Sequence, residues 1–322
     1  MSRNALGRRT ALAAAAAALA VRPRPALAAW PERPVRLVVS FPPGSATDAA
    51  ARLLGEAIAP LLAQPVVIEN RGGASGNIAT AAVRAATDGH TLLVHGAAFA
   101  VNPALFRAAG YGVEDFAAIA IIATTPAAFV VRADSPARSL RDLLEMARAR
   151  PLDYASSGAG TVPRLGAELL FRRLAGVEVQ HVAFPPAQAV TAVVSGHVPM
   201  AVVALPTAMG LIRGGQLRAL AVGSAQRDPA LPEVPTVAEQ GFPGFDVGAW
   251  NGLFAPRGFD AAGAARIEAA CTQVLAIPAL RDRLAAAGLT TTGLAGAAAQ
   301  DFVRREATTW GEVVRLVGAT AD

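Results

Sequence analysis

The sequence predicts an α/β protein of two lobes that are joined by two crossing strands. Apolar, β-rich runs alternate with alanine-rich helical runs along most of the 322 residues. The composition, 53% hydrophobic and 16% charged, permits a large core, and the length favours two domains over one. Two β runs, at 127–132 and 247–254, divide the strand–helix series into two groups.

The first 28 residues are interpreted as an export signal. A short basic stretch precedes a purely apolar run at 11–21, and Ala26-Leu27-Ala28 places small residues where a signal peptidase cleaves. The apolar run is too short to span a bilayer. Because Arg8-Arg9 resembles a twin-arginine pair, the Tat and Sec routes both stay open, and either route predicts a periplasmic protein.

The charge of the remaining chain is balanced. Five of the 29 basic residues, and no acidic residue, precede residue 29, which leaves 24 basic against 24 acidic residues. No basic patch for nucleic acid is therefore expected. All basic residues are arginines, which excludes lysine-dependent sites such as a pyridoxal phosphate Schiff base. A single cysteine, Cys271, and four histidines without metal-ligand spacing predict no disulfide, no metal and no cofactor.

The first lobe is predicted from residues 29–126 together with 251–322. Its elements in chain order are strand 36–40, helix 46–63, strand 65–69, helix 75–86, strand 91–95, strand 117–124 and, after the second lobe, helices 260–276, 278–287 and 297–317. Asn102-Pro103 and residues 111–115 predict loops. The alternation of strands and helices indicates a parallel sheet that is covered on both faces.

The second lobe is predicted from residues 127–250. The crossing strand at 127–132 leads into it, and the one at 247–254 returns the chain to the first lobe. Between them the sequence predicts helix 139–149, strand 153–156, helix 163–174, strand 177–182, helix 187–195, strand 198–204, helix 206–213, strand 217–223 and a proline-rich extended segment at 229–243 with a short helical piece at 237–240.

The turn at residues 42–48 is the first candidate site. Pro42-Pro43-Gly44 ends a strand, and Ser45, Thr47 and Asp48 are capping residues at the start of a helix. The first amides of a helix lack intrahelical partners and suit an anion, although a well-capped helix without a ligand has the same sequence. Glycines and hydroxyls recur in the turns at 69–77 and 156–161. These turns predict a cleft between the lobes that closes over a small ligand.

Six motifs follow one another along the chain. They are Trp30-Pro31-Glu32-Arg33-Pro34-Val35-Arg36-Leu37-Val38-Val39, Phe41-Pro42-Pro43-Gly44 with Thr47-Asp48, Gln64-Pro65-Val66-Val67-Ile68-Glu69-Asn70-Arg71, Asp88-Gly89-His90-Thr91-Leu92-Leu93, Ala155-Ser156-Ser157-Gly158-Ala159-Gly160-Thr161, and Pro235-Thr236-Val237-Ala238-Glu239-Gln240-Gly241. Each motif is modest, but in this order the chain resembles the Bug (TctC-like) family of periplasmic solute-binding proteins of tripartite tricarboxylate transporters.

The resemblance implies a type II periplasmic binding protein, the two-lobed "Venus flytrap" fold, without enzymatic activity. Members of this family hold a small carboxylate between the first β/α loop and the glycine-serine loop of the second lobe, through backbone amides, hydroxyls and ordered water. A monomer that passes its ligand to membrane permease subunits is implied. The expected ligand-binding residues, with Ser156 and Thr161 in direct contact, are Pro43, Gly44, Ser45, Thr47, Asp48, Gly73, Ser75, His95, Ser156, Ser157, Gly160, Thr161, Arg164 and Ala204.

Departures from the family pattern bear on the ligand. Ser45 replaces a common second glycine and adds a hydroxyl donor. Arg164 replaces a frequent histidine, and either grips a distal carboxylate or faces solvent. Phe184-Pro185-Pro186 replaces Tyr-Lys-Gly, and Pro199 replaces an aspartate. These changes favour a mono- or dicarboxylate with an apolar or aromatic body over a ligand with three charges.

Two other functions stay open at this point. A periplasmic enzyme could use Asp48 and His95 as an acid/base pair, but no nucleophile elbow, metal-binding trio or cofactor motif accompanies them. A sensor would present the bound carboxylate to a receptor domain instead of a permease, and the sequence does not separate these two roles. Trp250, in the second crossing strand, is interpreted as hinge packing or as a ligand-stacking residue.

Overall fold

The computed structural model describes residues 30–156 and 161–321, so the segment interpreted as an export signal lies outside the described residues. The strands are β1 (Val35–Val39), β2 (Val66–Asn70), β3 (Thr91–Gly96), β4 (Phe116–Arg132), β5 (Leu152–Ser156), β6 (Val179–Ala183), β7 (Met200–Ala204), β8 (Leu217–Val222) and β9 (Gly248–Pro256). Most predicted elements are confirmed with small shifts of their ends.

The helices are α1 (Ala46–Leu62), α2 (Asn77–Arg84), α3 (Ala98–Leu105), α4 (Leu140–Ala149), α5 (Val162–Glu168), α6 (Pro186–Val194), α7 (Leu205–Arg213), α8 (Ala261–Leu275), α9 (Pro278–Ala286) and α10 (Gly296–Val317). A π-helical stretch, Leu169–Leu174, continues α5, and short 3-10 turns occur at Ala74–Gly76, Val113–Asp115 and Ala238–Gln240. In the described ranges no helix has the length and apolarity that a membrane span requires.

The strands form one mixed sheet in the order β2-β1-β3-β9-β4-β7-β5-β6, and β8 also pairs with β4. β1 runs parallel to β2 and β3, and β5 runs parallel to β6 and β7. At the centre, β9, β7 and β8 all run antiparallel to β4. The prediction of a parallel sheet is therefore wrong at the centre, because strands that carry the chain out of one half and back into it run in opposite directions.

β4 is a single strand of 17 residues, although the sequence predicted two separate runs around Pro126. Its first part pairs with β9 as far as Pro126 opposite Gly248, and its second part pairs with β7 and β8 from Ala127 onwards. Pro126 lacks an amide donor, and it lies at the point where β4 changes partners. The strand therefore continues from one half of the sheet into the other.

The first β/α unit shows how the sequence builds the layers around the sheet. Alternate residues of β1 face opposite sides: Leu37 and Val39 join the core below α1, and Val38 joins the core on the other face. Ser45 is the N-cap of α1, and its Oγ accepts a hydrogen bond of 3.2 Å from the Asp48 amide. Both faces of the sheet are consequently covered, as the continuous apolar strands predict.

The loop predicted at Asn102-Pro103 is wrong, because both residues lie in α3. Pro103 cannot donate to the Phe99 carbonyl four residues earlier, and the Tyr111 hydroxyl donates to that carbonyl instead, at 3.0 Å. Asn102 is fully buried, and its Nδ2 donates to the Ser75 carbonyl and to Asn77 Oδ1, at 3.0 and 2.7 Å. α3 therefore tolerates its proline through a tertiary contact that local sequence does not show.

The C-terminal helix α10 contacts both halves of the protein. It packs against α3 and β4, and also against α5 and the π-helical stretch that follows it. Trp310 and Val314 of α10 belong to the same buried cluster as Leu165 of α5. The sequence assigned this helix to the first lobe alone, and the boundaries of the two lobes stay a prediction.

Candidate ligand-binding cavity

A cavity that is open to solvent lies beside the two central strands β4 and β9. The predicted turn at residues 42–48 forms one wall and the start of α5 forms another. Described lining residues are Phe41, Ser45, Ala46, Thr47, Gly96, Ala97, Ala98, Thr125, Thr161, Val162, Pro163, Pro186, Ala204, Thr207, Ala249, Trp250 and Asn251.

Five helices begin at this cavity. The N-terminal residues of α1, α3, α5, α6 and α7 all contribute to the lining. At α1, the N-cap Ser45 accepts a hydrogen bond from the Asp48 amide through its Oγ. Ala46 and Thr47 are the first two helical residues. The amides of such residues have no intrahelical acceptor, and each helix dipole adds about half a positive charge at its start. These helix starts favour an anion through their free backbone amides, of which Pro163 and Pro186 contribute none because proline has no N–H.

None of the described lining residues carries a charged side chain. The acidic residue of the turn at residues 42–48 is Asp48, which is 4% exposed. Its carboxylate accepts hydrogen bonds from the Gly44 amide at 3.0 Å, Asn70 Nδ2 at 2.9 Å and Arg52 Nε at 3.0 Å. Burial alone would raise the pKa of Asp48, but these hydrogen bonds hold it below its usual value.

The floor of the cavity is formed by the central strands. Thr125 of β4 and Asn251 of β9 line it, and both are almost completely buried. Thr125 Oγ1 and Asn251 Nδ2 have no hydrogen-bond partner within the described residues. Trp250 is 1% exposed and also contributes to the floor, so both interpretations of this residue, packing and ligand contact, agree with its position.

The chain is similar in sequence to a known protein family. A family profile described as "Tripartite tricarboxylate transporter family receptor" (TctC) matches residues 50–319. The chain belongs to this family. BugT of Bordetella pertussis (strain Tohama I) is 33% identical over 297 residues, which cover 90% of this chain and 91% of BugT. The predicted Bug (TctC-like) relationship is thus confirmed.

Solved structures agree with the TctC assignment. A protein from R. palustris, solved with adipate, has 32% sequence identity and a TM-score of 0.85, and covers 90% of this chain and 99% of its own. MatC from Rhodopseudomonas palustris, solved with bound malate, has 34% identity and a TM-score of 0.81, and covers 88% of this chain and 100% of its own. Solved periplasmic binding proteins match similarly, which confirms the predicted two-lobed fold.

The structure brings four of the predicted site residues of this TctC protein into the cavity wall: Ser45, Thr47, Thr161 and Ala204. Pro43, Gly44 and Asp48 lie in the same turn but do not line the cavity. Gly44 has a left-handed φ of 81°, which a glycine adopts without strain, and its amide is held by Asp48. Ser157 and Gly160 lie outside the described residues.

Gly73, Ser75 and His95 are not among the described lining residues of the cavity. Ser75 lies in the 3-10 turn after Gly73, with a left-handed φ of 53°, and its carbonyl is bound by Asn102. His95 is fully buried, and burial lowers its pKa to about 4 although the Gly96 carbonyl lies 2.9 Å from its Nδ1. His95 is therefore neutral at physiological pH, and it supports Gly96, the residue that reaches the lining.

Ser156 and Arg164 belong to a polar cluster at the end of β5 and the start of α5. Ser156 is fully buried, and its Oγ lies 2.7 Å from His181 Nε2. Burial, together with the positive charge of Arg164, lowers the pKa of His181 to about 4. Neither Ser156 nor Arg164 is among the described lining residues of the cavity.

Several lining residues were missed by the sequence interpretation, notably Thr125, Thr207 and Asn251. Asn251 lies in a run that was interpreted only as a crossing strand, and Thr125 lies between the predicted strands 117–124 and 127–132. A polar residue within an otherwise buried strand was the signal that could have identified them, because a buried polar side chain needs a partner. In the described residues no group of three or more His, Cys, Asp or Glu side chains could hold a metal ion.

Trp250 connects the cavity floor to α10. Its Nε1 donates to Glu306 Oε2 at 2.7 Å, and Trp310 Nε1 donates to the same oxygen at 3.0 Å. Burial raises the pKa of Glu306, and its two indole hydrogen bonds only partly oppose this effect. A carboxyl whose pKa is raised by folding stabilises the fold below its unfolded pKa and loses that contribution as pH rises through the folded pKa.

We therefore expect Glu306→Gln to become more stable relative to the wild type as the pH rises from about 4 to about 7. Unfolding free energies from urea titrations across this range check the prediction. Glu312→Gln, an exposed position on the same helix, is the matched control and should show no such trend. A difference between Glu306→Gln and wild type that stays constant, or that shrinks with rising pH, would contradict the argument.

Proposed function

We propose that this TctC-family protein is a periplasmic solute-binding protein that captures a small carboxylate in the cavity and delivers it to permease subunits of a tripartite tricarboxylate-type transporter. One observation carries the proposal. Five helix N-termini meet at a cavity whose described lining has no charged side chain. Backbone dipoles attract an anion, and no acidic group in this lining competes for the same space.

The shape and polarity of the lining support an organic acid. Phe41, Val162 and Trp250 supply apolar surface, and the hydroxyls of Ser45, Thr47 and Thr161 supply hydrogen bonds near the helix starts. A carboxylate fits the helix starts and a carbon skeleton fits the apolar wall. Adipate in one relative and malate in MatC support a dicarboxylate, and the absence of cationic side chains from the described lining favours one or two charges over three.

The ligand is expected to bind between two lobes, one of residues 29–126 with 251–322 and the other of residues 127–250. The lining supports this division, because Ser45 and Thr47 come from the first lobe and Thr161 and Ala204 from the second. Export by the N-terminal signal, through the Tat or the Sec route, would bring the protein to the periplasm as a monomer. Family membership supports the partnership with a permease.

We propose binding without catalysis. The carboxylate of Asp48 is taken by Arg52, Asn70 and the Gly44 amide, so it does not act as a free base. His95 is fully buried and faces the protein interior, with the rings of Phe41 and Phe99 at 5.9 and 5.8 Å. The two groups that could form an acid/base pair thus have structural partners instead of a path to the ligand.

A thermal-shift screen of the purified protein tests the function. The panel contains mono-, di- and tricarboxylates, aromatic acids, amino acids and neutral amides. A ligand at 100 times its dissociation constant should stabilise the fold by about 2.7 kcal/mol and raise the melting temperature by several degrees. We expect mono- or dicarboxylates to do so. Stabilisation by neutral amides alone, or by no carboxylate, would contradict the proposal.

Thr161→Ala should weaken binding of the carboxylate found in this screen at least tenfold, an effect of about 1.4 kcal/mol. Thr161 is the N-cap of α5 and lines the cavity, so its hydroxyl is positioned to contact the ligand. Isothermal titration calorimetry measures the change. Thr272→Ala, an exposed threonine on α8, is the control and should leave affinity unchanged. Equal losses in both variants would contradict the proposed contact.

A further inference from the structure

Two polar side chains on the cavity floor are buried without a partner. Thr125 is 1% exposed and Asn251 is 2% exposed. Thr125 Oγ1 and Asn251 Nδ2 make no hydrogen bond within the described residues, although both residues line the cavity. Buried polar groups in folded proteins are hydrogen-bonded in the great majority of cases, so each such exception needs an explanation.

The two side chains lie on the same face of the sheet. β4 and β9 are antiparallel, with Thr125 opposite Ala249 and Ala123 opposite Asn251. Asn251 is therefore the diagonal neighbour of Thr125, and such pairs are about 7–8 Å apart in antiparallel sheets. Both residues line the cavity, so a ligand group at the floor would lie next to this pair. The central strands thus form a second polar region, apart from the helix starts.

The chemistry of the two atoms defines what they bind. Asn251 Nδ2 can only donate a hydrogen bond, and Thr125 Oγ1 can donate or accept one. The matching group on the ligand is therefore an acceptor such as a hydroxyl or keto oxygen. No described lining residue is cationic, so a neutral oxygen is less costly to bury at the floor than a second carboxylate would be.

We propose that Thr125 and Asn251 select carboxylates that carry a hydroxyl or keto oxygen on their carbon skeleton. The helix starts bind the carboxylate, and the floor binds the neutral oxygen by a hydrogen bond from Asn251 Nδ2 and a second one with Thr125 Oγ1. This specificity rests on the proposed function, because it assumes that a carboxylate occupies the cavity. A ligand without the oxygen leaves both floor groups unpartnered and should bind more weakly.

Matched acids that differ only in this oxygen provide the test. We would measure dissociation constants by calorimetry for propionate, lactate and pyruvate, for succinate and malate, and for 3-phenylpropionate, phenyllactate and phenylpyruvate. In at least one of these series, the oxygenated acid should bind wild-type protein at least tenfold more tightly than its parent. Equal or tighter binding of the parent in every series that binds would overturn the specificity while leaving carboxylate binding intact.

Variants assign the preference to the floor. Thr125→Val removes the hydroxyl at nearly constant volume, and Asn251→Leu removes the amide. Each should weaken the oxygenated acid at least fivefold and leave its parent acid within twofold. Thr124→Val is the control, because Thr124 Oγ1 binds the Thr290 carbonyl on the other face of β4. If both floor variants kept the full preference, or weakened both acids alike, the assignment would be wrong.

The proposed function and the floor specificity fail in different ways. If none of these acids binds and the wider carboxylate screen is also negative, the proposed function fails and the specificity falls with it. If carboxylates bind but the oxygen makes no difference, only the specificity fails. Melting temperatures of the unliganded variants show whether each is folded, and Thr125→Val, the smaller change, decides the result if Asn251→Leu does not fold.

Discussion

Asp48→Ala is expected to weaken carboxylate binding at least tenfold and to lower the unfolding free energy by about 3 kcal/mol. The Asp48 carboxylate is almost fully buried and accepts hydrogen bonds from Gly44, Arg52 and Asn70. Removing it leaves the Gly44 amide and one N–H of Asn70 Nδ2 without their acceptor. The cost of a hydrogen bond to a charged group is about 1.5–3 kcal/mol, and more than one such bond is lost here.

Binding should fall because Asp48 holds the turn that precedes α1. Asn70 Nδ2 donates both to Asp48 and to the Phe41 carbonyl, which ties β2 to the turn. Without the carboxylate, the turn is released and the amides of Ala46 and Thr47 lose their fixed direction. Binding by backbone dipoles depends on that direction, since an amide that must reorient on binding contributes less free energy.

Chemical denaturation and calorimetry on the same preparations check both effects. Asp48→Asn is a second variant of nearly equal shape, and it should also weaken binding because its NH₂ group would face the donors that surround Asp48. Asp282→Ala, an exposed aspartate on α9, is the control and should change stability by less than about 0.5 kcal/mol. An Asp48→Ala variant that is destabilised yet binds with wild-type affinity would contradict the proposal that the turn held by Asp48 contributes to ligand binding.

The first wall of the cavity was predictable because its signals are local. Proline and glycine end β1, and Ser45 and Asp48 cap α1 within a few residues of one another. Ser45 and Thr47 were therefore found from sequence and do line the cavity. Capping and turn formation are properties of a short segment, so they are visible without knowledge of the fold.

The floor was not predictable in the same way. Thr125 and Asn251 are 126 positions apart in the chain numbering, and only the register of β4 against β9 makes them neighbours. Periodicity indicates that a strand is buried, but it gives neither its partner nor its register. α3 shows the same limit, because Tyr111 replaces the donor that Pro103 lacks and no local pattern indicates this contact.

The antiparallel direction of the central strands was not predicted for a related reason. Alternating strands and helices correctly indicate parallel units, and β1 with β2 and β3 is such a unit. β4 and β9 instead connect the two halves, and their direction follows from the path of the chain between the lobes. Direction is thus set by connectivity over more than a hundred residues, which apolar composition alone does not determine.

Gly76→Ala is expected to destabilise the fold by about 4 kcal/mol, through backbone strain and overpacking together. Gly76 is the N-cap of α2 and has a left-handed φ of 94°. A Cβ at this position would lie within 2.6 Å of His95 Cε1 and 3.0 Å of Ser40 Cβ, and still closer to His95 Nε2. His95 cannot move aside cheaply, because its ring is packed between Phe41 and Phe99.

Gly244→Ala separates the two contributions. Gly244 also has a left-handed φ, of 81°, but no atom lies within 4 Å of the Cβ that alanine would add. Backbone strain alone should therefore lower the free energy of unfolding of Gly244→Ala, by about 1–2 kcal/mol. Urea unfolding of both variants measures the difference, and Gly76→Ala should be the less stable by at least about 2 kcal/mol. Equal destabilisation would mean that His95 and its neighbours shift to make room for the added methyl group. That result would contradict the predicted overpacking at Gly76.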